Sequence, residues 1–158
     1  NTVFAVGTVQ EEVGLRGAGT SAYEVNPDVA FAIDVTIAAD TPGSEDSDFA
    51  EKCGKGPSIS VMDGSLLPNP RLRDLVIETA EENKIPYQLG SLTKGGTDGG
   101  RIALTRAGVP TITLSVPSRY IHSHNSIIHL DDYLNLVRLL VEVIKKLDAR
   151  TVEQIRKM

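Results

Sequence analysis

Four polar clusters in this sequence carry groups able to do chemistry. Gln10-Glu11-Glu12 follows directly on an apolar, β-branched run at 3–9. Two adjacent acids at a strand end repel each other unless a cation or a proton separates them; failing that, they form a solvated turn. Asp34 lies within Ala32-Ile33-Asp34-Val35-Thr36-Ile37. A carboxylate in so apolar a run needs a partner, so it is either a hydrogen-bonded structural group or a metal ligand. Gly95-Gly96-Thr97-Asp98-Gly99-Gly100 lets backbone approach a ligand, or simply makes a tight turn. Asp98 is equally suited to capping a helix that follows. The last cluster is His122-Ser123-His124, with His129 behind it, and it holds all three histidines of the chain. Imidazole is the commonest metal ligand, although His124 and His129 also read as plain surface residues. Carboxylates and imidazole without a thiolate cluster suit zinc, cobalt or manganese in a hydrolytic site.

The elements that must position these groups follow from hydrophobic periodicity. Strands are expected at 3–9, 29–39, 58–62, 87–89 and 110–116, with the first buried. Helices are expected at 14–25, 70–83, 101–107 and 131–147, and loops at 41–56 and 118–125. The second helix turns Leu72, Leu75, Val76 and Ala80 to one face. The longest turns Leu134, Val137, Leu140, Val141 and Ile144 inward. Thr151 is expected to cap a last helical turn, with Glu153 nearby. Strands alternating with helices predict an α/β fold with a sheet covered on both faces. In such open sheets, sites gather beyond the carboxyl ends of the strands, where all four clusters are expected.

Bulk properties narrow the function classes. A length of 158 residues suits one domain, and 41% hydrophobic with 23% charged residues suits a globular core. A formal net charge of -5 argues against a nucleic-acid surface, which needs clustered Lys and Arg. The single Cys53 has no internal disulfide partner, which favours a reducing, cytoplasmic setting. No apolar run approaches the roughly 20 residues needed to span a bilayer, so no membrane partner is expected. A chain opening at Asn1 directly into a strand-like run, without Met or signal peptide, reads as a cut or processed product.

Thr8-Val9-Gln10-Glu11-Glu12-Val13-Gly14-Leu15-Arg16-Gly17-Ala18 resembles the double-glutamate motif of the tetrahedral (TET) aminopeptidases, the forty-second metallopeptidase family of glutamyl, leucyl and deblocking aminopeptidases. The segment from Ala32 to Gly43, the glycine-rich turn and Pro117-Ser118-Arg119-Tyr120-Ile121-His122-Ser123-His124 are similar to its next three motifs, in family order. The resemblance implies a zinc-peptidase-like three-layer mixed sheet with helices on both faces, incomplete at its N-terminus. Residues 1–158 would be the C-terminal part of one catalytic domain, without the PDZ-like assembly domain. It implies two divalent metal ions, zinc or cobalt, per complete site. Glu11 would be the general base, Glu12 and His122 ligands of one metal, and Asp34 a ligand of the other. Thr97, Asp98 and Gly99 would line the substrate pocket. Implied partners are peptide substrates, the N-terminal half of the same enzyme and further copies in a homo-oligomer. Some members carry endoglucanase labels, yet nothing here singles out the spaced acid pair of a sugar-cleaving site.

Three function classes remain open on the sequence. One is an aminopeptidase represented by part of its chain and inactive by itself. Another is a non-catalytic α/β remnant that binds a partner. The third is a related di-metal deacylase or carboxypeptidase, since fold does not fix function.

Overall fold

A five-stranded mixed sheet carries helices on both faces, as the alternation of elements predicts. This computed structural model describes residues 1–44 and 51–157. In chain order its elements are α1 (Arg16–Val25), β1 (Ala30–Ile37), β2 (Ser58–Met62), α2 (Pro70–Glu82), β3 (Gln88–Ser91), α3 (Asp98–Ala103), β4 (Thr111–Arg119), β5 (Ile127–Ile128), α4 (Leu130–Lys146) and α5 (Ala149–Arg156). Strand order is β1-β4-β2-β3, with β5 on β4. β1 runs parallel to β4 and β2 parallel to β3, while β4 meets β2 and β5 antiparallel. No helix among the described residues is long and apolar enough to cross a membrane.

β4 accounts for the layering. Thr111-Ile112-Thr113-Leu114-Ser115-Val116 alternates hydroxyl and aliphatic side chains, and a strand sends successive side chains to opposite faces. Ile112, Leu114 and Val116 join Ile59, Leu72, Val76, Leu139 and Val143 in the main core, against α2 and α4. Each such side chain contributes about 1.5–3 kcal/mol on burial. The hydroxyl face meets α3 and needs polar partners. Thr97, just before α3, supplies one: its hydroxyl lies 2.8 Å from that of Thr113 and donates to Asp63 Oδ2 at 3.0 Å. α2 starts as its sequence dictates, with Pro70 in the first turn and Asn69 Oδ1 accepting from Leu72 N at 3.0 Å.

The longest helix is rotated relative to expectation. Leu136, Leu139 and Val143 are buried, whereas Leu134, Val137 and Val141 are 52%, 43% and 45% exposed. Leu140 does pack against the core. α4 is apolar on two sides, so periodicity alone does not choose between them. The choice is made by Asp132, which is buried in the first turn of α4 and accepts from Gly54 N and Gly56 N, both at 2.7 Å. A buried carboxylate must keep those donors, and residues 136, 139 and 143 then follow it at helical spacing onto the sheet.

Other boundaries are corrected too. Residues 3–9 join no ladder, and Val3, Phe4, Val6 and Val9 are exposed. No described strand lies beside them, and β1 is bonded only to β4. They are held at their ends instead: Asn1 Nδ2 donates to Ile144 O and Leu147 O, and Val9 O accepts from Gly17 N. α3 begins at Asp98, three residues before the expected start. β4 continues through Ser118 and Arg119, expected as loop, because β5 pairs with that end. Asp148, not Thr151, caps α5, accepting from Thr151 N at 2.8 Å. Of the expected loop at 41–56, residues 45–50 lie outside the described residues.

Candidate metal and catalytic site

Glu11 and Glu12 ride on a bend between residues 3–9 and α1. Gly14 N and Leu15 N donate to Glu11 O at 3.1 and 2.9 Å, and Arg16 N donates to Gln10 O at 3.2 Å. Gln10 and Leu15 take positive φ, 58° and 55°. Gly17 completes the bend: a Cβ there would stand 2.5 Å from both Val9 N and Val9 O. Any other residue would push the two segments apart.

On the far side, the turn after β4 presents His122. Tyr120 and His122 both adopt left-handed conformations, φ 60° and 58°, uncommon away from glycine. Ser123 Oγ bonds within this turn, donating toward Tyr120 O at 2.6 Å and lying 2.8 Å from Asn125 O. The result brings His122 Nε2 to 3.2 Å from Glu12 Oε2, with both side chains largely open to solvent.

Asp34 sits mid-strand in β1, half-buried, on the hydroxyl face opposite Ser115 of β4. Its Oδ1 accepts from Val35 N at 2.7 Å. Asp98 occupies the first turn of α3, and Thr97 is the N-cap residue. The capping role open to Asp98 on the sequence is therefore not what it does. Its Oδ2 accepts from Thr8 Oγ1 at 2.6 Å, and its Oδ1 is buried with no hydrogen-bond partner.

The electrostatics tie these groups together. Burial raises the Glu11 carboxyl above its ordinary range, and the charges of Asp34, Glu12 and Asp98 add to the effect, while His122 opposes it. Burial also raises Asp34, with Asp98 and Glu12 adding, partly offset by the Val35 N–H and by His122. Four carboxylates and one imidazole thus feel one another across the carboxyl ends of β1 and β4.

The remaining expected site residues are placed differently. Thr97 and Gly99 are buried in the contact between α3 and the sheet. His124 is exposed. His129 is the N-cap of α4, its Nδ1 accepting from Asp131 N at 3.3 Å, so a helix-start role explains it. One contributor to the site's frame was not singled out by sequence reasoning, the Arg119–Asp40 ion pair at 2.6 Å, with Arg119 three residues before His122. An Asp and an Arg on separate strand ends carry no spacing signal.

The donor set fits a divalent cation in kind. Carboxylate oxygens and an imidazole nitrogen gather, and the unpartnered buried Asp98 oxygen calls for a positive or hydrogen-donating neighbour. Among the described residues, however, no three His, Cys, Asp or Glu side chains converge closely enough to hold a metal ion. Among the described residues, Glu12 and His122 are the one His–carboxylate pair that meets across the site.

Comparison with known proteins fits this arrangement. The chain belongs to the M42 glutamyl aminopeptidase family, whose family model matches residues 1–139. The family is one of metallopeptidases, which implies dependence on divalent metal. A glutamyl aminopeptidase of Lactococcus lactis subsp. cremoris is 37% identical over 155 residues, covering 98% of this chain and 42% of that protein. The structure of a TET aminopeptidase from a marine-sediment archaeon of the Thaumarchaeota is 48% identical with a TM-score of 0.91, over 94% of this chain and 41% of the other. The PhTET1 dodecamer is 40% identical with a TM-score of 0.70, over 87% and 39%. A further neighbour bears an endoglucanase name, as the family resemblance led us to expect. The chain thus spans about 40% of the length of these relatives.

Proposed function

We propose that the protein to which these residues belong is a metal-dependent aminopeptidase, hydrolysing N-terminal peptide bonds, and that they form the C-terminal part of its one catalytic domain. The observation carrying this reading is the Glu12–His122 approach beside Glu11, within the field of Asp34 and Asp98. Family membership supports it.

In this reading Glu12 and His122 hold one divalent ion and Asp34 a second, zinc or cobalt, with further ligands from outside these residues. Bound metal supplies Lewis acidity toward the scissile carbonyl and acidifies water. Glu11 does the proton work. Its carboxylate accepts a proton from the attacking water and delivers it to the departing amine, a role worth roughly 10²–10⁴-fold. Of the glycine-rich turn, Asp98 borders the space where the peptide lies, with Thr97 and Gly99 packed behind it. The dodecameric state named for PhTET1 supports a homo-oligomer built with the rest of the protein. The lone Cys53 supports a cytoplasmic setting.

The test separates two neighbours in the complete enzyme. Glu11→Gln should keep near-normal metal content and lose roughly 10²-fold or more in turnover. Glu12→Gln should lose metal. Equal metal loss in both variants, or full activity in the first, overturns these roles.

A further inference from the structure

The glycine-rich turn before α3 is docked on its own chain. A Cβ on Gly96 would stand 2.5 Å from Ser65 Oγ, one on Gly100 2.2 Å from the same atom, and one on Gly99 2.7 Å from Thr113 Oγ1. Approaches that close require residues without a side chain. The turn they dock on is built by Asp63, a carboxylate buried just after β2. Its Oδ1 accepts from Ser65 N at 2.7 Å and from Ser65 Oγ and Leu66 N, both at 2.8 Å. Its Oδ2 accepts from Thr97 Oγ1, and Gly64 N donates to Gly95 O at 2.8 Å. A buried carboxylate with its oxygens satisfied in this way is held in one place. α3 therefore starts from a fixed base on the sheet.

α3 in turn holds the bend that carries the two glutamates. Gly17 N to Val9 O closes that bend on itself. Two contacts then reach it from α3, one on each side. Before the bend, Thr8 Oγ1 donates to Asp98 Oδ2 at 2.6 Å. After it, Arg101 packs on α1, where a Cβ on Gly19 would stand 2.9 Å from Arg101 Cγ. Thr8 lies three positions before Glu11, at the end of a run that joins no ladder among the described residues. Its hydroxyl thus ties down a stretch that no described strand holds.

We propose that Thr8 is a positioning residue: through Asp98 it fixes the bend that carries Glu11 and Glu12. In the aminopeptidase reading, on which this rests, Glu11 handles the proton. Thr8 is exposed, and one exposed hydrogen bond contributes little to global stability. Its effect is geometric, since a reacting group displaced by about 1 Å can lose roughly 10²-fold in rate.

The test uses the complete enzyme with zinc in excess and two variants. Thr8→Val keeps the shape and removes the hydroxyl, whereas Thr8→Ser keeps the hydroxyl. On aminoacyl-p-nitroanilides, Thr8→Val should lower kcat roughly 10-fold and leave KM within about twofold. Amide hydrogen exchange supplies a readout independent of turnover. Gly14, Leu15, Arg16 and Gly17 donate the hydrogen bonds that define the bend. Their amides should exchange about fivefold faster in Thr8→Val. Thr8→Ser should restore both kcat and exchange. Wild-type kcat in Thr8→Val, a loss of kcat with unchanged exchange, or faster exchange with unchanged kcat would each overturn the proposal. So would a Thr8→Ser variant no better than Thr8→Val. Should Thr8→Val fail to fold, Asp98→Ala decides by removing the acceptor: unchanged exchange at the four amides would overturn the proposal. Faster exchange in Thr8→Val, restored in Thr8→Ser, with no hydrolysis by wild type would uphold the positioning and overturn the aminopeptidase reading.

Discussion

Arg119 grips Asp40 with two hydrogen bonds, Nε to Oδ1 at 2.8 Å and Nη2 to Oδ2 at 2.6 Å, joining the chain just after β1 to the end of β4. Asp34 lies on the first of these strands and His122 follows the second. The pair therefore fixes the spacing of two groups it does not touch. The Arg119 guanidinium holds the Asp40 carboxyl below its usual range. A group whose folded pKa is depressed stabilises the fold above its unfolded value, about 3.9, and loses that contribution as pH falls through the folded value. Asp40→Asn should thus lower the melting temperature at neutral pH, and the gap from wild type should close at acid pH below the carboxylate range. Melting curves across pH check this, and a gap that widens in acid would refute it.

Asp132 is the anchor that sets the rotation of α4. Asp132→Ala strips Gly54 N and Gly56 N of a charged acceptor. With bonds to charged groups worth about 1.5–3 kcal/mol each, and one of these donors near the surface, we expect a loss of about 2–4 kcal/mol. Urea unfolding measures it. Asp132→Asn, which keeps one acceptor oxygen, should lose less.

His122 and His129 should separate cleanly. His122→Ala in the complete enzyme should weaken metal binding by about 10-fold at least, on the scale of even an outer-shell change. His129→Ala should leave metal binding alone and cost about 1 kcal/mol through the lost cap. Metal titration together with thermal unfolding distinguishes the two, and a metal defect in the His129 variant would contradict this division.

These residues expressed alone should be inactive and self-associating. Ile33, Val35 and Ile37 of β1 are 50%, 41% and 51% exposed, and Leu134, Val137 and Val141 of α4 add to the open apolar surface. Apolar patches beyond a few hundred Å² generally find a partner. Light scattering should report aggregates or oligomers that resolve when the separately produced remainder of the protein is added. Aminoacyl-p-nitroanilide hydrolysis should appear only then. A monomeric, active preparation of these residues alone would show that the site is complete by another route.

How far the sequence reaches depends on what each feature needs. β2 at Ser58–Met62 was legible to the residue, because short β-branched runs bounded by Pro and Gly have one reading. The family resemblance assigns Glu12 and His122 to one metal, and the structure sets the two side chains 3.2 Å apart. The face of α4 was not legible, since the partners of Asp132 lie in a distant loop. Strand 3–9 was read from composition, but a strand exists only where a neighbour offers a ladder, and none is described there. Glu51 reads as a loop acid in sequence, because its burial against Gly90 is a property of the assembled sheet.

The pairing of β1 with β4 also sets a timetable for synthesis. Among the described residues β1 has no other ladder partner, and β4 leaves the ribosome only after two intervening strands and two helices. Such non-local pairings form slowly, since the loop must close before any contact rewards it. During that interval β1, with Ile33, Val35 and Ile37 along it, lacks this partner, and exposed apolar strand surface of that kind is aggregation-prone. The longer synthesis takes between β1 and β4, the longer that surface waits for its cover.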